Sequence, residues 1–166
     1  MIHILRKVTT DADWRDYHAL RRTVLWEAKG RRGYDDRHID EYRPAHHPLL
    51  LTWAGRAIGT TRLDDFGDGT GAVRLVAIAA DRQRHGHGRV LSARVEDFAR
   101  GRGVRTLYVN AAPEAVGYYD KMGWERFVWS EAEIAGHAAD CVQMRKVLLT
   151  LERDDLSSKR HPALFL

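Results

Sequence analysis

At 166 residues, 44% hydrophobic and 30% charged, with a formal net charge of +4, the chain has the size and balance of one soluble domain with a real core. No apolar run approaches the roughly 20 residues of a membrane-spanning helix, and the start, MIHILRKVTTDADW, turns acidic too soon for a signal peptide. The basic residues are scattered among acidic ones, without the basic run or aromatic–basic alternation of a nucleic-acid platform. A modest positive balance still suits a small polyanion such as a nucleotide.

In chain order, IHILRKV alternates as a first strand. Asp11 or Asp13 can then cap a helix running to about Lys29, with Trp14, Tyr17, Leu20, Val24 and Leu25 at helical spacing. Residues 30–48 are polar and carry glycine and proline, which predicts loop with a short helical turn; His46 and His47 fall in it as surface, packing or substrate-site residues. LLLTWAGRAIGTTRL predicts a hairpin about Ala54-Gly55-Arg56. After the glycine-rich DDFGDGTG comes AVRLVAIAA, apolar on both faces apart from Arg74, as a central strand should be.

Beyond DRQRHGHGR, the residues Val90, Leu91, Val95, Phe98 and Ala99 form one helical stripe that GRG at 101–103 ends. VRTLYVN predicts a strand, and PEAVGYYDKMG a short helix with Pro113 in its first turn. WERFVW and CVQMRKVLL predict two closing strands with a helical or looped insert between them. The single cysteine, Cys141, rules out an intrachain disulfide and suits a reducing cytoplasm; its setting is that of a sheet residue rather than a catalytic thiol. With no internal repeat or linker, residues 1–150 are expected to form one α/β domain, followed by a C-terminal tail, 151–166, polar until ALFL.

The stretch at 81–91 carries the chemistry. Strand, glycine loop, helix is how a fold presents backbone N–H groups to phosphate, because a helix N-terminus leaves donors unpaired and a partial positive charge. The dinucleotide fingerprint GxGxxG fails here, since position 91 is leucine, and no Gly-Lys-Ser/Thr completes a P-loop. A plain glycine turn at a helix start fits this stretch equally well when it is taken alone.

In context, Gln83-x-x-Gly86-x-Gly88 after a strand and before an amphipathic helix resembles the acetyl-CoA signature of the GNAT superfamily of N-acetyltransferases. NAAPEAVGYYDKMGW resembles the same family's NA…A…FYEKLGF segment, with Tyr119 in the tyrosine place and Gly123-Trp124 replacing Gly-Phe. RRTVLWE and HHPLLLTWAGRAIGTTRL resemble its helix and hairpin, so that the likeness spans about residues 3–148. It implies a GNAT-type α/β fold: a mixed, mostly antiparallel central sheet flanked by helices, with two splayed central strands. It also implies transfer of the acetyl group of acetyl-CoA, as cosubstrate, to a primary amine by direct attack.

By this resemblance the pantetheine arm pairs with the backbone of Val76, Ala77 and Ile78, and an N–H near Ile78 receives the oxyanion. Gln83, Arg84, His85, Gly86, His87, Gly88 and Arg89 hold the diphosphate, Arg84 and Arg89 adding charge to a backbone nest, and Asn110 ends the opposing strand beside the cofactor. Tyr119 is the general acid for the departing thiolate, against the alternative that Tyr118 faces the site and Tyr119 the core. A general base is not evident: Glu27, Asp64 and Asp65 are acceptor-side candidates, each also readable as a solvated surface charge. His85 and His87 lack a carboxylate or cysteine cluster, so no metal site is expected.

A non-catalytic CoA-binding module is the alternative from another class. Acyl-homoserine-lactone synthases share the fold, but their RLLPT continuation is absent, Asp64-Asp65 following Leu63. The acceptor, a small molecule or a peptide amine, stays open, as does a homodimer; neither nucleic acid nor membrane is an expected partner.

Overall fold

The computed structural model describes residues 2–149. Seven strands form one open sheet in the order β1-β2-β3-β4-β5-β7-β6. They are β1 (His3–Lys7), β2 (His46–Trp53), β3 (Arg56–Asp65), β4 (Thr70–Ile78), β5 (Thr106–Ala111), β6 (Glu125–Arg126) and β7 (Val142–Val147). Every neighbouring pair is antiparallel except β4–β5. This is the mixed, mostly antiparallel sheet flanked by helices that the resemblance implies. The segment WERFVW supplies only the two residues of β6. Past it, Phe127 N–H still reaches the Gln143 carbonyl (3.0 Å), but the N–H groups of Trp129 and Ser130 go to the Gln143 side chain (2.8 and 2.9 Å). Side-chain bonds there replace the ladder.

Helix α1 (Asp11–Arg21) is capped by Thr10 rather than by an aspartate. The Thr10 hydroxyl accepts from Asp13 N–H (3.1 Å), and the Asp13 carboxylate accepts in return from the N–H groups of Thr9 and Thr10 (3.1 and 3.2 Å). The pair forms a capping box, an arrangement worth about 1 kcal/mol at the cap itself. The helical path does reach Lys29, but through a π turn at Arg22–Trp26 and a 3₁₀ turn at Glu27–Lys29, ending on Gly30 at φ +68°. The expected turn in the polar segment is a 3₁₀ helix at Ile39–Tyr42. His46 and His47 lie in β2 instead of in the loop before it.

Leu49, Leu50 and Leu51 are fully buried in succession, which places β2 between layers. On one face α1 packs through Tyr17 on Val8 and Leu50. On the other, the larger core joins Leu49, Leu51, Leu63 and Val73 of the sheet to Leu91, Val95 and Ala99 of α2 (His87–Gly101). Helix α3 (Val116–Lys121) adds Val116 and Tyr119 to that core. The short α4 (Glu131–Ala135), capped by Ser130, is the insert before β7. Each buried Leu or Val is worth about 1.5–3 kcal/mol over its exposed state. Strand β5 alternates cleanly: Leu107, Val109 and Ala111 are buried, while Tyr108 and Asn110 are half-buried on the other face. The tail at 151–166 lies outside the described residues.

Candidate functional site

The two middle strands part. Parallel pairing of β4 with β5 runs from Thr70↔Thr106 to Val73↔Val109 and stops, so Val76, Ala77 and Ile78 have no partner on their β5 side among the described residues. Just above the last pair, β4 carries an extra residue against β3: Thr60 faces Ala77 and Arg62 faces Arg74. Leu75 takes the bulge at φ +52°, a left-handed conformation costly for a branched side chain. The Thr61 hydroxyl donates to the Arg74 carbonyl (2.7 Å) and so fixes the bulge from the side. A narrow slot lined by Val76, Leu91, Ser92, Tyr119 and Trp124 lies between the strands and α2.

Beyond β4, Ala79 N–H bonds the Ile58 carbonyl (2.7 Å), and a 3₁₀ turn at Ala80–Arg82 leads to the glycine loop. Arg84 and Gly86 both have positive φ, +64° and +85°, and α2 starts immediately after with no side-chain cap. The N–H groups of His87, Gly88 and Arg89 therefore form an open first turn, with the partial positive charge of the helix behind them. Arg84, His85 and Arg89 are exposed around it. Gln83 turns back and donates from Nε2 to the Ile78 carbonyl (2.9 Å), which ties the loop to the end of β4.

The two loop histidines differ. His85 is exposed, whereas His87 is buried, with Nδ1 2.8 Å from His3 Nε2 and its ring 5.0 Å from that of Trp53. Only the backbone of His87 is left for the loop. The glycines differ as well. At Gly86 the conformation demands glycine, while a Cβ on Gly88 would meet Tyr118 Oη at 3.5 Å.

Tyr118 and Tyr119 part company as adjacent helical residues must. The Tyr118 hydroxyl pairs with Ser92 Oγ (2.9 Å). Tyr119 is buried edge-on against Trp124 (centroids 5.3 Å) and borders the slot, its hydroxyl without a hydrogen-bond partner among the described residues. Burial, and secondarily Tyr118, push this phenol well above its ordinary pKa, so it keeps its proton.

Opposite α2, the sheet carries a buried ionic chain that the sequence did not announce. Glu41 accepts from the Tyr17 hydroxyl (2.8 Å), Arg21 and Arg62 Nη1 (2.8 Å). Arg62 continues to Asp64 with two bonds (2.6 and 3.0 Å), and Asp64 Oδ2 also receives Arg74 Nε (3.1 Å). Arg74 grips Glu133 through both terminal nitrogens, and Glu133 Oε1 takes Asn110 Nδ2 (3.0 Å) and faces His137 Nε2 (3.1 Å). Burial alone would raise Glu41; the guanidiniums of Arg21 and Arg62 and the Tyr17 hydroxyl outweigh it and hold its carboxyl below the usual range. Glu133 is held low likewise, Arg74 and Asn110 overcoming the cost of burial.

Asp64 is thus no solvated surface charge: it is 2% exposed, with both oxygens engaged by arginine. Asp65 is half-buried and accepts from Gly67 N–H (2.9 Å), and Glu27 is exposed on the turn after α1. No hydrogen bond or ion pair among the described residues links Glu27 to either aspartate. Asn110 uses its side chain on Glu133 and Gln143, on the face away from α2. Cys141 is half-buried just before β7, and burial raises its thiol. Among the described residues no group of three or more His, Cys, Asp or Glu could hold a metal ion.

The pairing of β4 with β5 thus ends a short way before a helix N-terminus whose first N–H groups have no side-chain cap. The family model of the GNAT acetyltransferases matches residues 9–124. The protein belongs to the GNAT acetyltransferase family. It is similar to a candidate acetyltransferase of Bacillus subtilis (strain 168), 24% identical over 72% of this chain and 82% of that one. Its fold is that of a candidate N-acetyltransferase of Lactobacillus plantarum: TM-score 0.74, 22% identity, 90% of this chain and all of that one. It also matches N-acetylglutamate synthase from Neisseria gonorrhoeae, solved with coenzyme A and N-acetyl-glutamate, at TM-score 0.72 and 18% identity, over 90% of this chain and 36% of that one.

Proposed function

We propose that the protein transfers the acetyl group of acetyl-CoA to a primary amine by direct attack. The observation that carries this reading is the sequence of features along β4: loss of its β5 partner after Val73, then the uncapped start of α2 at Gly86-His87. In this reading the diphosphate lies on the first turn of α2, with Arg84, His85 and Arg89 around it and Gly88 leaving the approach clear. The pantetheine arm lies along Val76, Ala77 and Ile78.

The neutral amine nitrogen attacks the thioester carbonyl carbon, and the oxyanion accepts a hydrogen bond from the β4 backbone near Ile78. Collapse breaks the carbon–sulfur bond, and the thiolate takes the proton of Tyr119. That phenol, kept neutral by its burial, regains the proton from the ammonium through water. Asp64 has its lone pairs on Arg62 and Arg74, so water is the better acceptor for the amine proton. The acceptor is a small molecule or a peptide amine. The test is thiol release from acetyl-CoA across a panel of amines, with mass spectrometry of the products. Amine-dependent release supports an enzyme; tight CoA binding without turnover supports a binding module.

A further inference from the structure

We propose that Glu133 is the strut that sets the opening between β4 and β5: a positioning residue, not a proton acceptor. The inference rests on the acyl-CoA reading only for what the opening receives. Where backbone pairing ends at Val73↔Val109, the next residues are Arg74 and Asn110. Nothing in the backbone ladder between these two strands fixes their separation from that point on. Both side chains instead meet one carboxylate: Arg74 through Nη1 and Nη2, Asn110 through Nδ2 at 3.0 Å. Among the described residues, Glu133 is the one side chain hydrogen-bonded to both.

Each end of this bridge is held from behind. Arg74 is anchored on Asp64 (3.1 Å), which Arg62 holds with two bonds. Asn110 Oδ1 accepts from Gln143 Nε2 (2.9 Å), and Gln143 Oε1 takes the N–H groups of Trp129 and Ser130. The Arg74 guanidinium also stacks over Trp129 at 5.3 Å, and the Trp129 indole donates to the Val109 carbonyl (3.1 Å). Charge-assisted, two-pronged bonds of this kind fix direction as well as distance. With Arg74, Asn110 and His137 around it, the carboxylate has little capacity left for a substrate proton. Thus α4, too short to contribute much core, has a function: it carries the strut.

Spin labels at Ala80→Cys and Glu114→Cys, exposed positions after β4 and β5, report the opening by pulsed electron resonance in a Cys141→Ser background. Glu133→Ala should broaden and lengthen the distance distribution, and Glu133→Gln, with one acceptor oxygen, should be intermediate. In parallel, Glu133→Ala should raise the Kd for CoA about 10-fold, a loss of about 1.4 kcal/mol in binding free energy. The fall in rate toward acid (the acidic limb of the pH–rate profile), expected because only the neutral amine attacks, should survive in Glu133→Gln. An unchanged distance distribution in Glu133→Ala overturns the proposal, as does a Glu133→Gln variant that loses the acidic limb while distance and CoA affinity stay intact. If Glu133→Ala does not fold, Asn110→Ala removes one end of the bridge and is held to the same criteria. A parent protein that binds no CoA would end the acetyltransferase reading, while the label distances would still decide on the strut.

Discussion

Arg74 and Asn110 stand on different strands and donate to the same atom, Oε1 of Glu133. The bond chain behind Arg74 runs through Asp64 and Arg62 to Glu41 and reaches α1 at Tyr17 and Arg21. The face of the sheet away from α2 is therefore braced by ions beside its small apolar cluster of Val8, Tyr17 and Leu50. Four of these residues, Arg21, Glu41, Arg62 and Asp64, are at most 6% exposed. Taking one away leaves its partners charged and dry.

Glu41→Ala should accordingly cost about 3–5 kcal/mol, the usual effect of removing one partner of a buried ion set. Urea unfolding at neutral pH measures it. A loss below about 1 kcal/mol would show that the arginines find water or other acceptors.

The same group makes stability depend on acid. A carboxylate whose folded pKa lies below its unfolded value adds stability that is full above the unfolded value, about 4.3 for glutamate, and is lost as pH falls through the folded one. Glu41 and Glu133 are both of this kind. Unfolding free energy should therefore drop as pH goes from about 5 toward 2, and the drop should be shallower in Glu41→Gln, which no longer titrates there. Equal slopes in the two proteins would assign the acid sensitivity elsewhere.

For the tyrosines, Tyr119→Phe should lower kcat by about 10- to 1000-fold, a general-acid contribution with partial rescue by water. Its stability should hold, since that hydroxyl bonds no described residue. Tyr118→Phe should show the opposite balance: near-normal turnover, but a loss of about 0.5–1.5 kcal/mol from the broken Ser92 bond. Steady-state kinetics beside thermal melts separate the two, and the reverse pattern would move the acid to Tyr118.

The loop glycines should separate similarly. Gly86→Ala forces an L-residue to φ +85° and should cost about 1–2 kcal/mol along with CoA affinity. Gly88→Ala meets only ordinary contact with Tyr118, so fold should persist while CoA binding weakens. Circular dichroism with CoA titration checks both. Unchanged affinity in Gly88→Ala would mean that the ligand does not approach the backbone there.

Much of this architecture was legible in the sequence where the signal was local. The α2 stripe buried Leu91, Val95 and Ala99, and the apolar run around Arg74 became β4. The helix cap was missed by one residue, because Asp13 acts at the third position and Thr10 holds the cap. Asp64 read as a surface charge although Arg62, two residues earlier in the same strand, shares its face and pairs with it. Glu133 offered no such clue: its partners Arg74 and Asn110 lie 59 and 23 residues away. Only the assembled sheet brings them together. The extra residue at Leu75 was equally silent, since a bulge leaves the hydrophobic pattern of so apolar a strand intact.

The most direct measurement is acetyl-CoA binding and turnover by the intact protein. A Kd in the micromolar range predicts stabilisation of about 4 kcal/mol at millimolar CoA, seen as a rise in Tm, with no rise from NAD or ATP at equal concentration. Thiol release should then depend on added amine and match the acetylated product one for one. No thermal shift at millimolar CoA, together with no amine-dependent thiol release, would contradict it.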